Sequence, residues 1–162
     1  MSDTSNLTRL GSGQTRQKYT NPTKRLLEAF KIAQPEIPHV VGLECQHFTT
    51  LGPINGQPDF ARLQIVYIPD QLCVETKSLR EYLTSYRQEH TFNEDLVQTI
   101  CKDIFDVVKP KLLRIRASYE ARGDIAIQPV ALLADETLSK AELTKCHELL
   151  LQYQAASGEN IG

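Results

Sequence analysis

Leu113-Arg114-Ile115-Arg116-Ala117-Ser118-Tyr119 alternates apolar and polar residues without a break. That is the two-residue period of a strand with one face buried. Just before it, Pro110 ends a helical pattern whose apolar face carries Leu96, Val97, Ile100, Ile104, Val107 and Val108, with Asn93 expected as the N-cap. A second helix is expected over Ser78–Glu89, striped by Leu79, Tyr82, Leu83 and Tyr86. Upstream, His39–Thr50 and Phe60–Ile68 read as two strands around a Pro-, Gly- and Asn-rich loop, and Leu26, Leu27, Phe30 and Ile32 as a short helical turn. Downstream, Arg122-Gly123-Asp124 is turn chemistry, and Ile125 with Ile127 should open a fourth strand. A final helix is expected over Ser139–Gln154, with Leu143, Leu149, Leu150 and Tyr153 as its apolar side.

The order ββααββ plus a tail helix predicts an α+β domain, an antiparallel sheet with helices on one face. So short a sheet leaves edges that identical subunits can cover, so a homo-oligomer is expected.

At 162 residues the chain suits one domain with a real core. Residues 1–25 are expected to form a flexible arm, with Arg9, Arg16, Lys18, Lys24 and Arg25 against Asp3, leaving residues 26–162 as the single domain. The balance of 18 Lys+Arg against 20 Asp+Glu argues against direct nucleic-acid binding. No apolar run approaches the roughly 20 residues of a membrane span. Cys45, Cys73, Cys101 and Cys146 lie far apart and read as separate reduced thiols. His39, His47, His90 and His147 form no ligand-spaced pair, so no metal is expected. A cytoplasmic location is the expectation. Walker, G-x-G-x-x-G and G-x-S-x-G signatures are missing from the chain.

Several other stretches are more specific. They are Gly56-Gln57-Pro58-Asp59-Phe60, Tyr67-Ile68-Pro69-Asp70, Val74-Glu75-Thr76-Lys77-Ser78-Leu79-Arg80, Phe92-Asn93-Glu94-Asp95 and Arg122-Gly123. Together they resemble the motifs of the 7-cyano-7-deazaguanine reductases, the QueF-type nitrile reductases of the queuosine tRNA-modification pathway. The resemblance runs from about Val41 to Pro129. It implies the tunnelling fold shared with GTP cyclohydrolase I, whose subunits join their sheets into a barrel. It also implies NADPH as cofactor and a 7-deazaguanine nitrile as substrate. In that family a cysteine thiolate adds to the nitrile carbon as a thioimidate, which two hydride transfers reduce to the aminomethyl product. By resemblance, Asp59 is the proton donor. Asn93 and Glu94 bind the purine edge, Glu94 by paired hydrogen bonds. Val74, Glu75 and Thr76 line the substrate pocket. Thr76, Lys77, Arg122 and Gly123 contact NADPH, the two cations meeting its phosphates.

The family's nucleophile stands seven residues before that aspartate, in a T-S-L-C-P-type stretch. Here the stretch is Thr49-Thr50-Leu51-Gly52-Pro53, and Gly52 cannot form a thioimidate. The family's histidine is also replaced, by Asn93. Three readings follow: a reductase with an altered nucleophile, a relative with non-covalent chemistry on a purine or 7-deazapurine, or a purine-binding partner subunit. The last could form a hetero-oligomer with a cysteine-containing homologue, lending it Glu94.

Overall fold

The structure, a computed structural model, describes residues 19–157. Its main sheet has four antiparallel strands in the order β2-β3-β5-β6: β2 Val41–Leu51, β3 Pro58–Ile68, β5 Leu112–Tyr119 and β6 Val130–Ala134. A two-stranded sheet pairs β1, Ala29–Lys31, with β4, Leu72–Val74. The helices are α1 Thr76–Thr84, prolonged by a 3-10 turn over Ser85–Gln88, then α2 Asn93–Val108 and α3 Lys140–Ser157. Two hairpins around a helix pair is the expected α+β arrangement.

Alternation on β3 and β5 works as the pattern requires. Leu63, Ile65 and Tyr67, with Leu113, Ile115 and Ala117, face a core closed by α1 and α2. Ile100 and Ile104, both fully buried, are the α2 contribution at its centre. The sequence reading placed the helices on one face, and α3 departs from this. Cys146 and Leu150 pack on Val66, Ile68 and Leu112, the opposite face of the same strands. Gly42 makes that seat available, because any Cβ there would run into the Tyr153 ring of α3.

Four further departures have local causes. The fourth strand starts at Val130 rather than near Ile125. Arg122 and Ile125 close a tight turn on each other, and Pro129 has no N–H to give a ladder. Asn93 is the first helical residue, the cap being Phe92 without a side-chain bond. Residues 26–32 hold only the end of a 3-10 turn, Lys24–Leu26, before β1. Finally, β2 carries a bulge: Cys45 pairs with Leu63 but Phe48 with Ala61, one residue more than β3 has.

Most of the expected arm, including Arg9, Arg16 and Lys18, lies outside the described residues. Of its remainder, Tyr19 lies under the Arg87 guanidinium and Lys24 pairs with Asp106 at 2.8 Å.

Candidate functional site

The bulge decides what faces what. Beyond it, Phe48 and Thr50 rather than His47 and Thr49 turn to the helix side, and Thr50 lies opposite Asp59 across the ladder. Both are buried: Thr50 fully, Asp59 at 6% exposure. Between them the hairpin loop folds on itself. Gly52 N–H donates to Gln57 O at 2.8 Å, Gly56 N–H to Gly52 O at 3.2 Å, and Gln57 N–H to the Asn55 side chain at 3.1 Å. Gly56 has φ +64 and needs its glycine, since His90 stands 3.2 Å from where a Cβ would be.

The segment leading into α2 is tied to this loop. Leu51 N–H donates to Glu89 O at 3.0 Å and Thr91 N–H to Leu51 O at 3.2 Å. His90 Nδ1 lies 3.2 Å from Gly52 O. A carbonyl only accepts, so that nitrogen carries the proton. These bonds bring the α2 N-terminus, with Asn93 and Glu94, to the Gly52–Asp59 end of the sheet. Tyr119, at the end of β5, completes the group. Its hydroxyl is pushed well above the ordinary phenol range by burial, then by the Asp59 and Glu94 carboxylates. It stays a donor at any working pH. Thr50 Oγ1, Asn93 Oδ1 and Tyr119 OH are all buried and have no partner among the described residues. Three orphaned polar atoms at one end of a sheet make that end the candidate site.

Arg122 crosses the same end. Its Nε meets Asp59 Oδ1 at 2.6 Å, and its Nη2 donates to Gln57 O at 2.8 Å and Pro58 O at 3.2 Å. Gly123, at φ +60, forms the open tip of the adjoining turn.

Val74, Glu75, Thr76 and Lys77 lie elsewhere. Val74 N–H donates to the Tyr67 hydroxyl at 3.1 Å, and Tyr67 is eight residues, about 25 Å, along β3 from Asp59. Glu75 caps α1, accepting from Lys77 N–H and Ser78 N–H at 2.7 Å each. Those bonds hold its carboxyl below the ordinary range. Thr76 and Lys77 are exposed at the same terminus. The structure thus unites Gly52, Asp59, Asn93, Glu94 and Arg122, and places Val74–Lys77 at the far end. From Thr76 a cavity of about 360 Å3 runs between α1 and the free edge of β2, with Cys45, Phe48, Arg80, Leu83 and Arg87 on its walls.

No thiol adjoins Asp59. Cys45 is seven residues back on β2, Cys73 lies beside Val74, and Cys101 and Cys146 are buried in α2 and α3. Burial pushes the Cys101 thiol up to about 11 and raises those of Cys45 and Cys146. Among the described residues no three His, Cys, Asp or Glu side chains gather as a metal site, and no helix is long and apolar enough to cross a membrane. Sequence reasoning missed Tyr119, Thr50 and His90. Only Tyr119 left a signal, a polar tip on the buried face of a strand ending three residues before Arg122.

A known structure shares this architecture. The apo form of an archaeosine synthase described as QueF-Like matches with a TM-score of 0.55 at 19% identity, over 59% of this chain and 94% of that one. The fold is therefore the tunnelling fold. The profile of the QueF-like proteins matches residues 58–137. The NADPH-dependent 7-cyano-7-deazaguanine reductase of Streptococcus thermophilus is 43% identical over 124 residues, 76% of each chain. That of Bacteroides thetaiotaomicron is 45% identical over 106 residues, 65% of this chain and 70% of its own. The chain belongs to the QueF-like family.

Proposed function

We propose that this chain binds a 7-deazaguanine-type heterocycle at the Gly52–Asp59 end without forming a covalent adduct. The convergence of Asp59, Glu94 and three unpartnered polar atoms around a residue with no side chain carries this reading. Glu94 is exposed at the α2 N-terminus and has both oxygens to offer the N–H groups of a guanine edge. Asn93 Oδ1, Thr50 Oγ1 and the Tyr119 hydroxyl take up the ring's remaining polar atoms.

NADPH is proposed as cofactor from the relatives' names. The chain's own residues fit it: Arg80 and Arg87 offer charge to phosphates in the cavity beside α1, and Phe48, Leu79 and Leu83 an apolar wall. Bound, it supplies a hydride. What this chain lacks is the thiol that holds a nitrile for reduction, so full nitrile reduction by this chain alone is not expected.

The test is titration calorimetry with 7-cyano-7-deazaguanine, mass spectrometry of the mixture, and nicotinamide absorbance. Binding with no added mass and no NADPH consumption is expected. Steady turnover, or an adduct on any of the four cysteines, refutes it.

One observation favours a second reading, that of a partner subunit. Val74–Lys77 and Asp59 cannot meet within one chain, so a pocket using both needs a neighbour. Ile54, Phe60 and Phe92 stay exposed at the Gly52–Asp59 end, apolar and aromatic side chains of the kind that fill the centre of a subunit interface. Glu94 stands with Gly52, so the end such a subunit lends to a cysteine-containing homologue is Val74–Lys77. Mixing with that homologue should then raise turnover per cysteine chain. Unchanged turnover counts against it.

A further inference from the structure

Gly52 leaves a gap, and a guanidinium faces it. The Nη1 nitrogen of Arg122 lies 3.2 Å from where a Cβ on residue 52 would sit, with Asn55 Oδ1 at 3.1 Å. A guanidinium has five N–H donors. Nε is ion-paired with Asp59, and Nη2 uses its two on the Gln57 and Pro58 carbonyls. The Nη1 pair has no acceptor within the described residues. Asp59 is in a complementary position. It is 6% exposed and gives Oδ1 to Arg122, while Oδ2 has no partner among the described residues. Near Gly52, then, an ion-paired guanidinium and carboxylate each keep hydrogen-bonding capacity to spare.

A primary amide matches that pair. Its carbonyl oxygen suits the Nη1 donors and its NH2 suits Asp59 Oδ2, two charge-assisted bonds. A nitrile offers only one end-on acceptor and nothing for Asp59. A carboxylate satisfies Arg122 but sets its charge against both Asp59 and Glu94. Resting on the heterocycle-binding reading above, we propose that Arg122 and Asp59 select the ring's substituent, and that this chain takes a 7-deazaguanine bearing a carboxamide at C7. Arg122 thereby acts at the substituent rather than on a cofactor phosphate. A Cβ at residue 52 would press on Nη1 and the Asn55 amide, moving them by a few tenths of an ångström.

Calorimetric titration of the full-length protein with four probes tests this: 7-deazaguanine and its 7-carboxamide, 7-cyano and 7-carboxylate forms. The carboxamide should bind about tenfold or more tighter than the nitrile. Arg122→Lys, which keeps the charge beside Asp59 but loses the fork, should bring that ratio near one. Gly52→Ala tests the same point without touching either charged group, and should lower the ratio by pushing Nη1 aside. Thermal melts confirm that each variant is folded. Equal affinity for amide and nitrile in the parent protein, or a preference that survives both substitutions, overturns the proposal. Binding of the unsubstituted ring without amide preference overturns this inference alone. Binding of none of the four overturns the heterocycle reading with it.

Discussion

Replacing Tyr119 by Phe should make the free protein more stable and its ligand complex weaker. The hydroxyl lies on the buried face of β5 with no partner, and Tyr119 as a whole is only 6% exposed. A buried polar group left unsatisfied costs about 1–3 kcal/mol relative to water. Phe keeps the ring, its shape and its packing, so removing the oxygen recovers most of that penalty and opens no cavity. For a chain of this size each kcal/mol moves the midpoint by about 2–4 °C, so Tm should rise by about 2–10 °C. The same substitution removes a donor that stays protonated beside Asp59 and Glu94. A ligand depending on that donor should bind about tenfold more weakly. Calorimetric melts and ligand titration on one preparation measure both. A variant that is destabilised and binds normally would show that the hydroxyl has a structural partner and no part in binding.

Three other outcomes follow from the packing and the caps. Gly42→Ala forces Tyr153 off β2 and should cost about 1–3 kcal/mol in urea titration, with faster amide exchange in α3. Ile104→Ala, in the fully buried centre of α2, should cost about 2–5 kcal/mol by the same titration. The Glu75 carboxyl is held below its ordinary value by the Lys77 and Ser78 N–H groups. A depressed acid stabilises above its unfolded value and loses that stabilisation as pH falls through its folded one. Amide exchange at the start of α1 should therefore quicken below about pH 4.5, and Glu75→Gln should flatten that dependence.

Where the chain repeats a period for long enough, sequence and structure agree. Burial alternates from Pro58 to Ile65 on β3 and from Leu113 to Tyr119 on β5, and α2 keeps its stripe for 16 residues. β1 and β4 have three residues each, too few for any period to show. β6 went astray because Ile125 and Ile127 mimic alternation while the chain is still turning. The bulge lies over Gln46 and His47, two exposed polar residues with no glycine to betray it. At the site, motifs identified Gly52, Asp59, Asn93 and Glu94, and the fold brought them together. Motifs carry no distances, however. The separation of Val74–Lys77, the seat of Arg122 on Asp59 and the orphaned Tyr119 hydroxyl are tertiary facts.

The extra residue in β2 works like a shift of reading frame. Upstream, odd-numbered residues such as Leu43 and Cys45 face the helices; downstream, the even-numbered Phe48 and Thr50 do. Excising a residue from this short irregularity would restore an unbroken ladder and leave nearly every packing contact of the domain in place. It would also leave Thr50 and the approach to Gly52 facing the helices, because Phe48 would then follow Cys45 by two residues, as Leu63 follows Ala61. The strand should therefore forgive substitution at Gln46 or His47, and even the loss of one of them, whereas a residue lost between Phe48 and Gly52 would turn part of the site outward. A variant could fold well and still have lost its site.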